Sequence, residues 1–531
     1  MTDLLLERAR ELAGVFAAAG RELYLVGGCV RDHLLGREVH DLDLATDAPP
    51  TEIKRLASRL RPDGLYEVGA RFGTIGLIFR DLQPEDRDGR AETSRPVAGR
   101  SPHPRPLPGG EGTEGGLPGR EGIGLPQQPE LVRASGPGGG PEGGSAGAGR
   151  APASGAIEIT TYRTERYVDG SRHPEVAFGT SLHEDLARRD FTVNALARHP
   201  LTGEVRDPFG GRADLERKLI RAVGDPHERF AEDPLRLLRA VRFVAQLGFT
   251  IDPATLAAIR AAAPALERIS RERVADELSR ILVAERAATG IRLATELGLM
   301  EYAIPEVLPM RGVSQRPLHH KDVFEHTLGV VRNIPPELGL RWAALLHDIG
   351  KPQTKSAYAG AVHFFGHEDV GERMARRILR RLHFDNRFVE RVAKLVRMHL
   401  RVNSYDREWT DAAVRRLIRE AGDELDDLIQ LSRADVTSYR AERVQAANLR
   451  ADEFERRCRA ILEQEDVAKL QSPLDGHELM ALFGRPPGPW IRPIKDYLLG
   501  LVVDGDLAQD DKARGTELAK RFVEEHGVAE R

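Results

Sequence analysis

The chain has 531 residues, of which 41% are hydrophobic and 30% are charged, and its formal net charge is −4. Single cores seldom grow beyond roughly 250–300 residues, so several domains are expected. No apolar run approaches the roughly 20 residues of a membrane span, and two cysteines cannot form a disulfide framework, so we expect a cytoplasmic protein.

The amino-terminal segment predicts a helix over residues 2–19, since apolar residues recur there at helical spacing and Gly20 follows. An apolar strand at 23–26 comes next and ends at Gly27 and Gly28. Because glycine lets other groups approach the backbone closely, the N–H groups of this turn can contact a phosphate.

A second strand carries the paired aspartates Asp41 and Asp43. Alternate residues of a strand face the same side, so the two carboxylates point together. Two like charges in such proximity need a cation between them, and oxygen ligands suit Mg²⁺. The strand, the Gly-Gly turn and the paired aspartates resemble the first motif of the polymerase-β-like nucleotidyltransferases.

A helix at 51–60 and a strand at 72–79 precede an abrupt change of composition. Residues 84–156 are dominated by Gly, Pro, Arg, Ser and Glu, which predicts a disordered surface insertion, or alternatively an arm that tethers RNA. The flanking segments IGLIFR and AIEITTYR are predicted to be neighbouring strands of one sheet. Residues 163–180 are polar, with Gly and Pro, and predict a mobile loop.

The chain turns helical through Asp185-Leu186, and RRDFTVNALA, which follows, brings Arg189, Asp190 and Asn194 together. Residues 214–305 are predicted to be almost wholly helical, with one helix starting at Asp233-Pro234 and ending at Gly248. In that helix three arginines recur every third residue and share one stripe, a pattern also typical of a solvated face: Arg236, Arg239 and Arg242.

Five motifs in order resemble the class II tRNA nucleotidyltransferases (CCA-adding enzymes) and the related bacterial poly(A) polymerases: GGCVRD, HDLDLAT, RRDFTVNALA, EDPLRLLRAVRFVAQLGF and ISRERVADEL. The resemblance covers about residues 22–83 and 157–310. It implies a head with a five-stranded sheet, followed by helical neck and body domains.

The resemblance also implies roles for individual residues. Asp41 and Asp43 would hold Mg²⁺ and be catalytic, while Asp233 and Arg236 would read the base. The other implied nucleotide-binding residues are Gly27, Gly28, Arg31, Arg189, Asp190, Asn194, Arg239 and Arg242. Glu158, on a predicted strand, is either a third carboxylate of this site or an ordinary surface acid.

The choice of base follows from hydrogen-bond chemistry. A carboxylate only accepts and a guanidinium only donates, so Asp233 would accept from an exocyclic amine while Arg236 donates to ring acceptors. Cytosine and adenine offer an amine beside an acceptor, whereas uracil and guanine present a carbonyl there. The expected reaction is a two-metal displacement, in which the RNA 3′-hydroxyl attacks the α-phosphate and pyrophosphate departs.

The second half is rich in histidine, with eight of the 17 histidines between His319 and His399. The series His326, His347-Asp348 and Asp435 resembles the HD metal-dependent phosphohydrolases, in which His367 and His399 would be further ligands. Nitrogen and oxygen ligands suit Mn, Fe, Ni, Co or Zn, so a second divalent metal of unknown identity is expected. Its reaction would be hydrolysis of phosphates or cyclic phosphates at RNA ends, with Lys351 on a phosphate.

The predicted fold class is α+β: a polymerase-β-like nucleotidyltransferase head with a mixed sheet, an all-helical neck and body, a helical HD domain and a helical tail. The predicted boundaries are 1–83 and 157–213 for the head, 84–156 for the insertion, 214–310 for the neck and body, 311–445 for the HD domain and 446–531 for the tail.

The predicted function is template-independent addition of C, C and A to the 3′ end of tRNA from CTP and ATP, with no membrane and no stable protein partner. Retention of the segment 163–180 favours complete addition, because the resemblance implies that CC-adding relatives lack part of it. The alternatives are a poly(A) polymerase, a partial A- or CC-adding enzyme, and an HD phosphohydrolase whose head only binds nucleotide or RNA.

Overall fold

The computed structural model describes residues 2–68, 73–79, 156–166, 175–314, 322–358, 361–437, 440–464 and 470–526. The predicted insertion at 84–156 lies outside the described residues, except for its last position, where a strand begins. None of the helices within the described ranges is long and apolar enough to cross a membrane.

The amino-terminal part is a sheet covered by short helices. Its helices are α1 (Thr2–Ala18), α2 (Gly28–Leu34), α3 (Pro50–Ala57), α4 (Leu182–Ala187) and α5 (Gly211–Glu216), with 3₁₀ turns at Ser58–Leu60 and Thr192–Asn194. Its strands are β1 (Leu23–Val26), β2 (Leu42–Thr46), β3 (Gly64–Val68), β4 (Thr74–Ile78), β5 (Ala156–Thr161), β6 (Arg163–Arg166), β7 (Glu175–Phe178), β8 (Ala197–Arg198) and β9 (Val205–Arg206). Helix α1 confirms the first predicted helix.

The main sheet has seven strands in the order β3-β4-β5-β2-β1-β8-β9. Only β2 and β5 are parallel, so the sheet is mixed, as predicted. The flanks of the insertion, β4 and β5, are antiparallel neighbours, which is also confirmed. The implied count of five strands is too low, because the chain returns as the short pair β8 and β9 and extends the sheet beyond β1.

The prediction of a loop at 163–180 is wrong where the structure describes this segment. Strands β6 and β7 pair antiparallel in a two-stranded sheet of their own, with Thr164 opposite Ala177 and Glu165 opposite Val176. The β-branched residues Thr164 and Val176 favour extended backbone, a preference that the polar composition of the segment does not reveal. Residues 167–174, which join the two strands, lie outside the described ranges.

The next part is helical, apart from the parallel pair β10 (Leu219–Ile220) and β11 (Thr250–Ile251). Its helices are α6 (Pro226–Glu232), α7 (Leu235–Leu247), α8 (Pro253–Ala262), α9 (Arg271–Leu282), α10 (Ala287–Glu296) and α11 (Leu299–Ala303), with 3₁₀ turns at Ala263–Arg268 and Pro305–Met310. Helix α7 begins just after the predicted start, and the Asp233 carboxylate accepts from the Leu235 N–H at 3.1 Å, as an N-cap does. Gly248 ends the helix as predicted.

The histidine-rich part is a bundle of helices with one small hairpin. It comprises α12 (Val323–Asn333), α13 (Leu338–Leu346), α14 (Lys351–Thr354), β12 (Ser356–Tyr358), β13 (Ala361–His363), α15 (His367–Arg381), α16 (Asn386–Asn403), α17 (Asp411–Ala421), α18 (Leu425–Asp435) and α19 (Ala441–Gln464). A 3₁₀ turn at Gly422–Glu424 joins α17 to α18. Helix α13 is apolar and buried, and it delivers His347 and Asp348 into the centre of this bundle.

The carboxyl-terminal helices are α20 (Gly476–Phe483), α21 (Ile491–Asp504) and α22 (Lys512–His526). They share a separate core around Leu479, Ile494 and Leu498. Helix α19 runs through the predicted boundary at 445 and contributes Phe454 to the large core of the preceding part. The predicted domain boundaries stay predictions.

Candidate active site and metal centre

Carboxylates from two neighbouring strands meet on one face of the main sheet. Asp43 in β2 pairs with Glu158 in β5, and Asp41 lies at the bend where β2 begins. Paired residues of adjacent strands project to the same side, so Glu158 stands beside Asp43. The Glu158 pKa is raised by burial and by the charges of Asp43 and Asp41. Clustered acids that resist ionisation in this way suit a cation.

Asp43 is exposed to solvent, but it stands in a concave wall with protein around it. Because the surrounding protein displaces water from the carboxylate, the Asp43 pKa is raised. The positive charge of Arg189 opposes this rise, and the negative charge of Asp41 adds to it. Gly27 brings Arg189 close, since a Cβ at this position would lie 2.7 Å from Nη1 of Arg189 and 4.0 Å from Oδ2 of Asp43. The φ of Gly27 is +76°, which favours glycine, and Gly28 begins α2.

A chain of hydrogen bonds links α2 to α7. Arg31 Nη1 donates to Oδ1 of Asn194 at 2.8 Å, and Asn194 Nδ2 donates to Oδ1 of Asp190 at 2.9 Å. Arg239 Nε and Nη2 donate to Oδ2 of Asp190 at 2.8 and 2.5 Å. Burial would raise the Asp190 pKa, but Arg239 and Asn194 favour the anion and hold that pKa well below its usual range. The structure therefore brings these predicted residues together.

The two residues predicted to read the base already have partners. Asp233 accepts from Nη2 of Arg273 at 2.8 Å with its second oxygen. Arg236 donates from Nη1 to the Glu232 carboxylate at 2.6 Å and to the Arg229 carbonyl at 3.0 Å, and from Nη2 to the Arg188 carbonyl at 2.8 Å. A guanidinium has five N–H donors and each carboxylate oxygen has two lone pairs, so both groups keep capacity for a ligand.

Three arginines surround the ring of Phe243, a residue that was not predicted to belong to this site. The guanidinium carbons of Arg31, Arg239 and Arg242 lie 5.1, 5.8 and 4.7 Å from the ring centroid. Arg242 also pairs with Glu277 at 3.2 Å. Burial lowers the pKa of Arg242 to about 10, against the opposing charge of Glu277. The Phe243 ring and the Glu277 carboxylate thus stabilise three neighbouring guanidinium groups that would otherwise repel one another.

The Gly-Gly turn, Asp43, the hydrogen-bond chain from Arg31 to Arg239, the pair Asp233 and Arg236, and Phe243 line one cavity of about 580 Å³, within the range of ligand sites. Every residue predicted for this half contributes to its wall except Asp41, which stands two residues from Asp43, and Glu158, which pairs with Asp43 across the strands. Eight arginines and four aspartates line the cavity, so a polyanion such as a triphosphate matches its charge.

Four charged residues of the wall were not predicted: Arg163, Asp185, Arg188 and Arg273. Asp185 accepts from Arg188 at 2.6 Å and from Arg189 at 3.1 Å, spacings of three and four residues that the sequence displays. The link from Arg273 to Asp233 spans 40 residues. No local pattern reveals that link, because it depends on how α9 packs against α7.

The histidine-rich bundle holds two groups of potential metal ligands: His326, His347 and Asp435 in one, and Asp348, His367 and His399 in the other. In the first, the Nε2 atoms of His326 and His347 lie 2.9 and 3.4 Å from Oδ1 of Asp435. In the second, the Nε2 atoms of His367 and His399 lie 3.5 and 3.8 Å from Oδ1 of Asp348.

Asp348 joins the two groups. Its Oδ2 atom lies 3.4 Å from Nε2 of His326 and 3.2 Å from Nε2 of His347, while its Oδ1 atom faces His367 and His399. Lys351 Nζ donates to the same Oδ2 atom at 2.7 Å. One carboxylate thus faces both sets of imidazoles, an arrangement suited to two neighbouring cations.

The outer hydrogen bonds of the histidines fix their inner nitrogens as acceptors. The Nδ1 atoms of His347, His367 and His399 contact the carbonyl oxygens of Ala344, Phe364 and Val396 at 2.8, 2.7 and 2.6 Å. A carbonyl only accepts, so each Nδ1 carries the proton and a neutral ring leaves Nε2 bare. The Nε2 atoms of His367 and His399 face each other at 3.3 Å, where two lone pairs repel each other unless a cation or a shared proton lies between them. The residues therefore fit a metal.

Three regions of the chain match known families. Residues 23–100 and 142–221 match "Poly A polymerase head domain", residues 248–310 match "Probable RNA and SrmB- binding site of polymerase A", and residues 323–440 match "HD domain". The first two matches contain the residues of the arginine-rich cavity from Gly27 to Asn194 and Arg273. The third contains all six potential histidine and aspartate ligands.

Relatives of the chain differ in the nucleotides that their names say they add. The chain is 37% identical to an A-adding tRNA nucleotidyltransferase of Deinococcus radiodurans, over 67% of this chain and 82% of that protein. It is 37% identical to a CC-adding tRNA nucleotidyltransferase of Thermus thermophilus, over 63% of this chain and 76% of that protein. It spans about half (54%) of a CCA-adding enzyme of Limosilactobacillus reuteri, at 35% identity.

Among solved structures, the fold is similar to that of the Bacillus stearothermophilus CCA-adding enzyme in complex with CTP. The TM-score is 0.62 at 24% identity, and the alignment covers 99% of each chain. At this identity the likeness bears on the fold alone: a nucleotidyltransferase-type head followed by a long helical remainder.

Proposed function

The chain belongs to the family of tRNA nucleotidyltransferases and bacterial poly(A) polymerases, and on that premise we propose that it adds C, C and A to the 3′ end of tRNA from CTP and ATP. One observation carries the proposal. The carboxylate of Asp43 in β2 and arginines from α7, some 190 residues later, line the same cavity. Such a cavity offers a place for a reacting triphosphate beside groups able to select its base.

Asp41 and Asp43 would hold Mg²⁺, with Glu158 beside them as a third carboxylate. Bound there, Mg²⁺ would neutralise charge on the triphosphate and on departing pyrophosphate. The arginines of the wall would also neutralise this charge, and each is held in place by a hydrogen bond. Arg31 donates to Asn194, Arg189 donates to Asp185, and Arg239 donates to Asp190. Preorganised donors lower the barrier because they need no rearrangement as charge moves to the leaving group.

Asp233 and Arg236 would select the base. Arg273 and the Leu235 N–H orient the Asp233 carboxylate. Arg236 is held through Glu232 and keeps donors for ring acceptors. Cytosine and adenine satisfy both groups, whereas uracil and guanine set a carbonyl against a carboxylate. Leaving a charged group without its partner in this way disfavours the wrong bases.

The test uses full-length protein, Mg²⁺, each labelled triphosphate singly and in combination, and three tRNAs that end before CCA, after C and after CC. Addition of two C and one A followed by a stop supports the proposal. Long A tracts on any of the three tRNAs would instead identify a poly(A) polymerase. Absence of all incorporation would refute nucleotidyl transfer.

Addition of A alone is the second candidate, and the name of the Deinococcus radiodurans relative favours it. The same experiment separates the two. An A-adding enzyme extends only the tRNA that ends in CC, and CTP leaves the other two unchanged. The segment 163–180, which favours complete addition by resemblance, includes residues outside the described ranges.

For the histidine-rich bundle we propose a second, hydrolytic centre for phosphate esters. Its six ligands would hold two divalent metals among Mn, Fe, Ni, Co and Zn, which would supply Lewis acidity at a phosphate. Lys351, beside Asp348, is placed to pair with a phosphate oxygen. Phosphatase assays after loading with each metal test this centre, and a protein that hydrolyses no phosphate ester with any of them would refute the hydrolytic role.

Cytoplasmic localisation stays a prediction. Both cysteines, Cys29 and Cys458, are buried free thiols, as expected in a reducing compartment. Fractionation of cells that express the tagged protein, with tRNA as the marker of the cytoplasm, tests it directly.

A further inference from the structure

An exposed aromatic side chain belongs to the turn that leads into the second candidate metal centre. Phe365 is 76% exposed, more than any other large hydrophobic side chain among the described residues. It stands in the turn between β13 and α15, two residues before the metal ligand His367. A single exposed phenylalanine is ordinary on a protein surface. Phe365 differs from such a residue because it stacks on His363 and lies in a turn that contacts potential metal ligands.

The ring of His363 lies parallel to that of Phe365, with centroids 5.0 Å apart and an angle of 7° between planes. His363 belongs to β13 and pairs with Ser356 of β12, so the hairpin holds one member of the stack. Because His363 covers one face of the Phe365 ring, the exposed surface includes the opposite face. The pair therefore presents a preformed flat aromatic surface to solvent.

The same turn is tied to the metal centre on two sides. The carbonyl oxygen of Phe364 accepts from His367 Nδ1 at 2.7 Å. Lys351 Nζ lies 5.6 Å from the Phe364 ring centroid and 2.7 Å from Oδ2 of Asp348. The turn that carries Phe365 is thus joined through its neighbour Phe364 both to His367 and to Lys351, a cation suited to phosphate.

We propose that Phe365, stacked on His363, is a platform for the nucleobase of the substrate, and that the centre acts on nucleoside phosphates rather than on phosphate esters in general. The proposal rests on the hydrolytic function proposed above. Every base has a π-face, so a stacking platform accepts nucleotides without requiring one sequence. The same chemistry is found in a free nucleotide and at the last nucleotide of an RNA.

The reaction would be ester hydrolysis. A water oxygen forms a bond to phosphorus, the bond from phosphorus to the ribose oxygen breaks, and a proton from that water passes to the departing ribose oxygen. For a 2′,3′-cyclic phosphate the ring opens to a monoester, and for a 2′- or 3′-phosphate inorganic phosphate is released. The base takes no part in these steps, so stacking should act on binding and not on turnover.

The experiment compares wild-type protein with Phe365→Ala and Phe365→Trp, each loaded with the metal that gives most activity. The substrates are adenosine 2′-phosphate, glycerol 2-phosphate as a base-free ester, and an RNA oligonucleotide that ends in a 2′-phosphate. We expect Phe365→Ala to raise KM for adenosine 2′-phosphate about ten-fold at unchanged kcat, with glycerol 2-phosphate unaffected and Phe365→Trp like wild type. A matching KM change for the RNA would assign the platform to RNA ends, and its absence would assign it to free nucleotides.

An equal loss of activity on adenosine 2′-phosphate and glycerol 2-phosphate would overturn the platform, because the residue would then act through the fold of the turn. Failure of the hydrolytic function itself would show as inactive wild-type protein on all three substrates. In that case photocrosslinking with an azidoadenosine 2′-phosphate tests stacking alone. Label within residues 361–367 that disappears in Phe365→Ala supports the platform, and label confined to the arginine-rich cavity overturns it.

Discussion

Arg239 and Asp190 form an ion pair that joins α7 to the segment after α4, with both Nε and Nη2 of the arginine within 2.8 Å of one carboxylate oxygen. The pair spans 49 residues and ends the hydrogen-bond chain that starts at Arg31. Asp190 is only 6% exposed. The carboxylate therefore depends on the arginine, and the shape of the cavity depends on the pair.

Replacing Arg239 with methionine should destabilise the protein because it leaves a buried carboxylate without its main partner. We expect a loss of about 3 kcal/mol, the lower end of the range for broken buried pairs, since Arg239 itself is 32% exposed. Chemical denaturation at pH 7 measures it. Arg260→Met, at an exposed position of α8, is the control and should change little.

The stability contribution of Asp190 should depend on pH in opposite directions in the wild type and in Arg239→Met. The Asp190 pKa is depressed in the folded state, so its stabilising contribution is present above the unfolded pKa of about 3.9 and is lost as pH falls towards the folded value. In Arg239→Met, burial raises that pKa instead. The variant should then gain stability relative to wild type as pH falls from about 7 to about 5, and a constant difference would contradict the role of Asp190.

Gly27→Ala should weaken triphosphate binding, because its Cβ would meet Nη1 of Arg189 at 2.7 Å. We expect KM for CTP to rise about ten-fold, the effect of one displaced guanidinium contact. Gly36→Ala is a matched control, since Gly36 also has positive φ (+66°) but nothing within 4 Å of a Cβ. Equal KM changes in both variants would point to backbone strain rather than to Arg189.

The sequence predicted most of the charged residues that line this cavity, but not Arg163, Asp185, Arg188 or Arg273, and not how any of them is held. Asp41, Asp43, Asp233 and Arg236 stand in compact motifs whose order identifies a family. The pairing of β6 with β7 is local, but the polar residues of this segment outweighed its β-branched positions in the prediction. The partner of Asp233 lies 40 residues away on α9, a contact that local composition does not encode. The same holds for Asp348, since adjacency to His347 does not reveal that its two oxygens face different imidazole groups.

Asp43→Asn should abolish nucleotide addition while tRNA binding stays close to normal. Asn keeps the shape of the side chain but lacks the charge that would hold Mg²⁺, so we expect kcat to fall by at least about a thousand-fold, as in other sites that lose electrostatic stabilisation. Single-turnover incorporation and a tRNA gel-shift assay measure the two properties. Asp510→Asn, at an exposed position, is the control. Retained turnover in Asp43→Asn would remove this carboxylate from the mechanism.

Removing ligands of the second centre should reduce metal content in steps without affecting addition. His399→Gln removes a potential ligand from one group only, so the protein should lose about one of two metals. Asp348 faces both groups, so Asp348→Asn should weaken the binding of both metals. Metal analysis of purified protein provides the count. His383→Gln, an exposed histidine outside both groups, should keep both metals. A collapse of nucleotide addition in folded His399→Gln protein would show that the two centres are coupled.

Asp233→Asn should change which bases are accepted. The carboxylate can only accept, but an amide also donates, so asparagine can turn its NH₂ towards O4 of uracil or O6 of guanine. The Leu235 N–H and Arg273 donate to different carboxylate oxygens, at 3.1 and 2.8 Å, so the single amide oxygen of asparagine can keep one of these contacts. The fold should survive the loss of the other, because the Arg273 side chain is half exposed. We expect the ratio of kcat/KM for CTP over UTP to fall about ten- to a hundred-fold, the range for one lost base contact.

The control for that change is Arg273→Ala, which leaves the carboxylate in place and removes only its exposed partner. It should lower kcat/KM for CTP and UTP alike, because the charge that rejects uracil is still present. Competition between CTP and UTP on a tRNA that ends before CCA measures both variants in the same mixture. If Asp233→Asn keeps the wild-type ratio, selection of the base must come from another part of the cavity wall, with Arg236 the first residue to examine.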